Sequence, residues 1–166
     1  RHRNEPYDRD GAWAASGRVQ KDLLAQLMTD EYFTKAPPKS TGREHFNLTW
    51  LERQLAGKLA PEDIQATLAE LTAASIARGL KFLPEKIGEI FICGGGGHNR
   101  DLLTRLRAQL PGIPVATTGI LGLDPDWVEA AAFAWLAHQT LAGRAGNLPS
   151  VTGARHPVLL GGIYLG

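Results

Sequence analysis

The chain has 166 residues, 43% of them hydrophobic and 21% charged, with a formal net charge of +1. That is the length of one domain with a core of its own. The charge balance excludes a general nucleic-acid surface, and no apolar run is long enough to span a bilayer. No signal-peptide pattern opens the chain, and the single Cys93 cannot form an internal disulfide, a combination that fits a reducing cytoplasm.

Residues 1–8 are polar and lack an initiator Met, which reads as an interior segment of a longer protein. From Asp10 to about Met28 the periodicity predicts a helix, with Trp13, Gly17, Leu24 and Leu27 near one face and Asp10 as its cap. Pro37, Pro38 and Gly42 then break the pattern. Two readings apply there. Lys39, Ser40 and Arg43 either form a solvated basic loop or lie near an anion. Phe46, Trp50, Leu51 and Leu55 suit a short helix. A longer one is predicted from Pro61 to about Lys81: Pro61 fits the first turn, Glu62 and Asp63 suit the positive end of the dipole, and Pro84 ends it.

The most informative stretch follows. Residues 89–93 read as a short apolar strand, with Cys93 a buried, inert thiol at its end. Gly94, Gly95, Gly96 and Gly97 come next, and a helical pattern from Arg100 carries Leu102, Leu103, Leu106 and Leu110. A strand, a glycine turn and a helix N-terminus together offer unpaired amides to a phosphate or nucleotide. A tight turn that binds nothing is the other reading. The turn is not a Walker loop, since no Gly-Lys-Ser/Thr closes it, and Asn99 stands where the dinucleotide fingerprint needs glycine or alanine. Gly95 is expected at positive φ, which a β-branched side chain would not tolerate. Residues 113–117 read as a second strand, so the alternation predicts an α/β layered domain with a largely parallel sheet.

Asp124 and Pro125 suit the cap and first position of a further helix. Glu129 shares a face there with Ala132, Phe133 and Leu136. Either it is exposed near the helix start, favoured by the dipole, or it points inward and needs a polar partner such as a ligand. His2, His45, His98, His138 and His156 lack metal-ligand spacing, so no metal site is expected from the protein. Residues 141–154 are loop-like, and Gly161, Gly162, Ile163 and Tyr164 suit a packed terminal segment.

Four blocks stand in a fixed order. The first is Pro37, Pro38, Lys39, Ser40, Thr41, Gly42, Arg43 and Glu44 with Phe46 and Asn47. The second is Cys93, Gly94, Gly95 and Gly96 with Asn99. The third is Glu129 and Ala130 with residues 132–137, and the fourth is residues 146–154. Together they resemble the anhydro-N-acetylmuramic acid kinase family, over nearly the whole chain, as its C-terminal half.

The resemblance implies the second lobe of an actin-like, ribonuclease H-like kinase, with a mixed sheet flanked by helices. Residues 1–166 would be that single lobe. Gly94, Gly95, Gly96 and Asn99 would belong to the adenosine-side loop, with Gly97 where relatives usually carry alanine. Glu129 would be the carboxylate near the bound sugar, while Lys39, Ser40 and Arg43 match the signature without an assigned contact. The implied reaction opens 1,6-anhydro-N-acetylmuramic acid and phosphorylates O6, using ATP, Mg²⁺ and water, in cytoplasmic cell-wall recycling. A homodimer is also implied. The family's phosphate loop and general-base Asp precede the matched region and do not occur here, so no catalytic residue is expected in this chain and it is expected to be inactive alone. A non-catalytic nucleotide- or sugar-binding lobe is the alternative. A dinucleotide enzyme would need an acidic residue about 20 positions past the glycines, and residues 115–118 offer none.

Overall fold

The computed structural model describes residues 5–55 and 57–164. The polar opening, including His2, lies outside them up to Asn4.

The expected helix from Asp10 to Met28 is two helices. Asp8, not Asp10, provides the cap: its carboxylate accepts from the amides of Trp13 at 2.8 Å and Ala14 at 3.0 Å, at the start of α1 (Ala12–Ser16). Asp10 itself adopts a left-handed conformation inside the preceding 3₁₀ turn. After α1 the chain is extended at Gly17 before α2 (Lys21–Leu27) begins. Close packing causes the break. A Cβ on Gly17 would lie 2.0 Å from the carbonyl oxygen of Glu62. The Asp63 carboxylate then accepts from Arg18 N at 2.7 Å and Gln20 Nε2 at 2.8 Å. Helical spacing read from sequence records the apolar face but not this contact with a distant segment.

A 3₁₀ turn (Glu31–Phe33) and the proline loop lead to α3 (Leu48–Gln54), capped by Asn47, which accepts from Trp50 N. The spine is α4 (Pro61–Leu80), with Pro61 and two carboxylates in its first turn as expected. β1 (Ile90–Ile92), the glycine turn, α5 (Arg100–Gln109) and β2 (Val115–Thr117) form a strand–helix–strand unit. The strands pair in parallel, with Ile90 opposite Val115, Phe91 opposite Ala116 and Ile92 opposite Thr117. A parallel pair needs such a crossover. α6 (Val128–Leu141) and a one-turn α7 (Pro149–Thr152) complete the described elements.

The α/β reading stands, but the mixed sheet does not: among the described residues there are two short parallel strands. Two apolar clusters lie along α4. One joins Ala73 to Leu103, Leu106 and Leu110 of the α5 region and Val115 of β2, with Ile90 and Ile92 packed against it. The other joins Leu71 to Leu23, Leu27 and Phe33, with Phe46 and Trp50 against it. Arg105 fastens α5 to α4 and α1. Its guanidinium reaches Asp101 at 2.6 Å, Glu70 at 3.0 Å and the Ala14 carbonyl at 3.5 Å. Cys93 is exposed rather than buried. Strand pairing ends one residue earlier, at Ile92, so Cys93 already belongs to the turn.

Candidate functional site

The glycine turn sits at the carboxyl end of β1, where ligands commonly bind parallel sheets. Its one left-handed residue is Gly94, at φ 67° and ψ −167°, a region open essentially to glycine alone. This corrects the expectation for Gly95, whose φ is not positive. The positive φ is needed one residue sooner, where the chain leaves the strand. A 3₁₀ turn (Gly95–His98) follows.

The turn is open. A Cβ on Gly94 or Gly95 would meet nothing within 4 Å. The amide of Gly94 is spent on the Pro125 carbonyl at 2.9 Å, and that of Gly97 on the Gly94 carbonyl at 2.9 Å. Among the described residues the amides of Gly95 and Gly96 have no partner, so they are the donors free to meet an acceptor. The hydroxyl of Thr118, just after β2, is buried without a hydrogen-bond partner among the described residues. Asn99 has a structural duty: its Oδ1 caps α5 by accepting from Leu102 N at 2.9 Å. Its amide nitrogen has no protein partner among the described residues and is the part left for a ligand.

A second turn braces the first. Asp124 accepts from Asp126 N at 2.9 Å and shapes the 3₁₀ turn (Pro125–Trp127) that precedes α6. His98 Nε2 contacts Asp126 Oδ1 at 2.7 Å. The Asp126 hydrogen bond, then its charge, raises the His98 pKa above the ordinary histidine value despite a small opposing effect of burial. Nothing in the sequence spacing marked this pair. Glu129 follows Asp126 by three residues, in the first turn of α6. In this chain Glu129 is exposed and has no hydrogen-bond or ion-pair partner among the described residues.

Lys39, Ser40 and Arg43 are not brought to the glycine turn by any hydrogen bond or ion pair among the described residues. Lys39 Nζ donates to the Tyr32 carbonyl at 2.8 Å and lies 4.7 Å from the centre of the Tyr32 ring. Its ammonium is engaged by Tyr32. Ser40 and Arg43 are exposed. The proline loop instead meets the tail: a Cβ on Gly153 would lie 3.1 Å from Pro38 Cγ. Asn147, in the same tail block, binds Val158 N at 2.7 Å through its Oδ1, a structural tie.

Asp30 is the feature that sequence reasoning missed. It accepts from His45 Nε2 at 2.9 Å, Trp50 Nε1 at 3.0 Å and Tyr32 N at 3.0 Å. Burial alone would raise its pKa, but the hydrogen bonds from His45, Tyr32 and Trp50 outweigh it and hold the carboxyl below its ordinary range. The three donors are separated in sequence, so only an aspartate placed just before an aromatic-rich segment hinted at it.

The family profile described as anhydro-N-acetylmuramic acid kinase matches residues 1–166. The chain belongs to that family. It is 58% identical over 170 residues to the anhydro-N-acetylmuramic acid kinase of Chromohalobacter salexigens, covering 100% of this chain and 46% of that protein. It is 53% identical over 164 residues to the enzyme of that name from Coxiella burnetii, covering 98% of this chain and 44% of the relative. The corresponding figures for the Pseudomonas paraeruginosa kinase are 52% identity, 98% and 45%. The chain therefore spans a little under half the length of these kinases. Among the described residues no helix is long and apolar enough to cross a membrane.

Proposed function

We propose that this chain is the C-terminal lobe of an ATP-dependent kinase that opens 1,6-anhydro-N-acetylmuramic acid and yields N-acetylmuramate 6-phosphate in the cytoplasm. The observation that carries this reading is the open glycine turn, with its two unpaired amides, in a chain matched along its whole length by the kinase family. The lobe is of the actin and ribonuclease H type. The family's phosphate loop and general-base Asp would lie upstream of Arg1. Sequencing the parent gene tests the order: those two motifs downstream of the chain would overturn it.

The chemistry available to these residues is positioning. The amides of Gly95 and Gly96 and the side-chain nitrogen of Asn99 would hold the adenosine side of ATP. Glu129 would accept hydrogen bonds from the sugar. Lys39, Ser40 and Arg43 would act away from the reacting atoms, since Lys39 is already committed to Tyr32. Mg²⁺ would screen charge on the transferring phosphoryl group. Among the described residues no group of three or more His, Cys, Asp or Glu side chains could hold it. ATP phosphates and the rest of the polypeptide would therefore be its ligands, and no step is assigned to this lobe through it.

Such catalysis depends on orientation and on groups fixed before the reaction. Glu129→Gln in the full-length enzyme keeps the shape of the side chain and removes its charge. Turnover with anhydro-sugar and ATP should fall by about a hundredfold to a thousandfold, the cost of losing one preorganised polar group, while thermal stability is kept. Unchanged kcat and KM would remove Glu129 from the site.

A further inference from the structure

We propose that α6 and the chain end beside it are covered, in the intact protein, by the part of the same polypeptide that lies outside residues 1–166. The proposal rests on the reading that this chain is one piece of a longer kinase, and it names the surface by which that piece is completed.

α6 is apolar on every side, with Val128, Phe133, Trp135, Leu136 and Leu141 spread around its circumference. Helices of that kind are interior helices. Yet none of its residues is buried, and Phe133, Trp135 and Leu141 are 63%, 53% and 75% exposed. The terminal segment does not fill the gap. The Thr140 hydroxyl shares its one hydrogen between the carbonyls of Leu136 and Leu160 and ties that segment to one side of α6. An open apolar groove is left between Phe133 and Ile163. The small sheet has the same deficit. Ile90 and Ile92 pack on the core, but Phe91 joins neither cluster, whereas parallel sheets are normally covered on both faces.

The occupant follows from length. The matched kinases are more than twice as long as this chain, which covers 44–46% of them. More than half of such a polypeptide is thus tethered nearby. A tethered segment docks without the loss of freedom that a separate molecule suffers, and dilution does not remove it. Glu129 shares the face of Phe133 and Leu136. Closing that face would enclose its carboxylate beside apolar walls, the setting in which a polar ligand is needed as its partner.

Hydroxyl-radical footprinting of the full-length protein reads these side chains directly. Phe133 and Trp135 should be oxidised at least tenfold more slowly than in the same protein unfolded in urea at matched dose. The protection should persist across a hundredfold dilution that reaches the monomer. Rates within twofold of the unfolded protein would overturn the proposal. So would protection lost on dilution, which would give the face to a second copy. Turnover by the same preparation separates the two readings. Lost protection with turnover intact defeats the docking proposal alone, and protection without turnover supports docking and defeats the kinase reading.

Discussion

At the scale of single residues, Gly97 and Asp30 make opposite kinds of prediction. A Cβ on Gly97 would lie 3.5 Å from Pro125 Cβ, 3.6 Å from Thr117 Cγ2 and 3.7 Å from the Ile92 carbonyl oxygen, all ordinary contacts, and its φ is not positive. Gly97→Ala should therefore stabilise the protein by about 0.4–1 kcal/mol, by restricting the unfolded chain. Denaturant unfolding measures this, and a destabilised variant would show that the turn needs glycine there. Asp30 is held by three donors, so Asp30→Ala should cost about 1–3 kcal/mol, the penalty for orphaning partly buried polar groups. Its folded pKa is below its unfolded one. Its stabilisation is thus full above the unfolded value of about 3.9 and is lost as pH falls through the lower folded value. Melting curves on the acid side should be shallower for Asp30→Asn than for the parent. Equal slopes would mean that the hydrogen bonds contribute nothing.

At the scale of elements, the two turns at the carboxyl end of the sheet are coupled by the Gly94 amide and by His98 with Asp126. His98 has a raised pKa because Asp126 favours the imidazolium, so this contact stabilises below the unfolded value of about 6.5 and is lost as pH rises through the higher folded value. NMR titration should place the His98 midpoint above 6.5, and Asp126→Asn should return it toward 6.5. A midpoint unmoved by that substitution would contradict the coupling. Periodicity recovered α4, α5 and both strands because their signals are local: Pro61 with two acids, leucines at helical spacing, and short apolar runs. The break at Gly17 was not legible, because its cause is the Glu62 carbonyl some 45 residues away. The parallel pairing read from the alternation holds, while the mixed sheet implied by the resemblance is reduced to two strands among the described residues. Two strands can be counted from sequence, but their neighbours need not lie in the same stretch of chain.

At the scale of the whole molecule, the four blocks carried the family, and a profile over residues 1–166 bears it out. The site was legible in part. The glycines lie where a ligand could reach them, while Lys39 is engaged with Tyr32 and Asp30 went unnoticed. Turnover measured side by side on the intact protein and on this chain, with 1,6-anhydro-N-acetylmuramic acid and ATP, tests the account most directly. N-acetylmuramate 6-phosphate should form with the intact protein and stay at background with residues 1–166. Comparable product from the isolated chain, or none from the intact protein, would contradict the account.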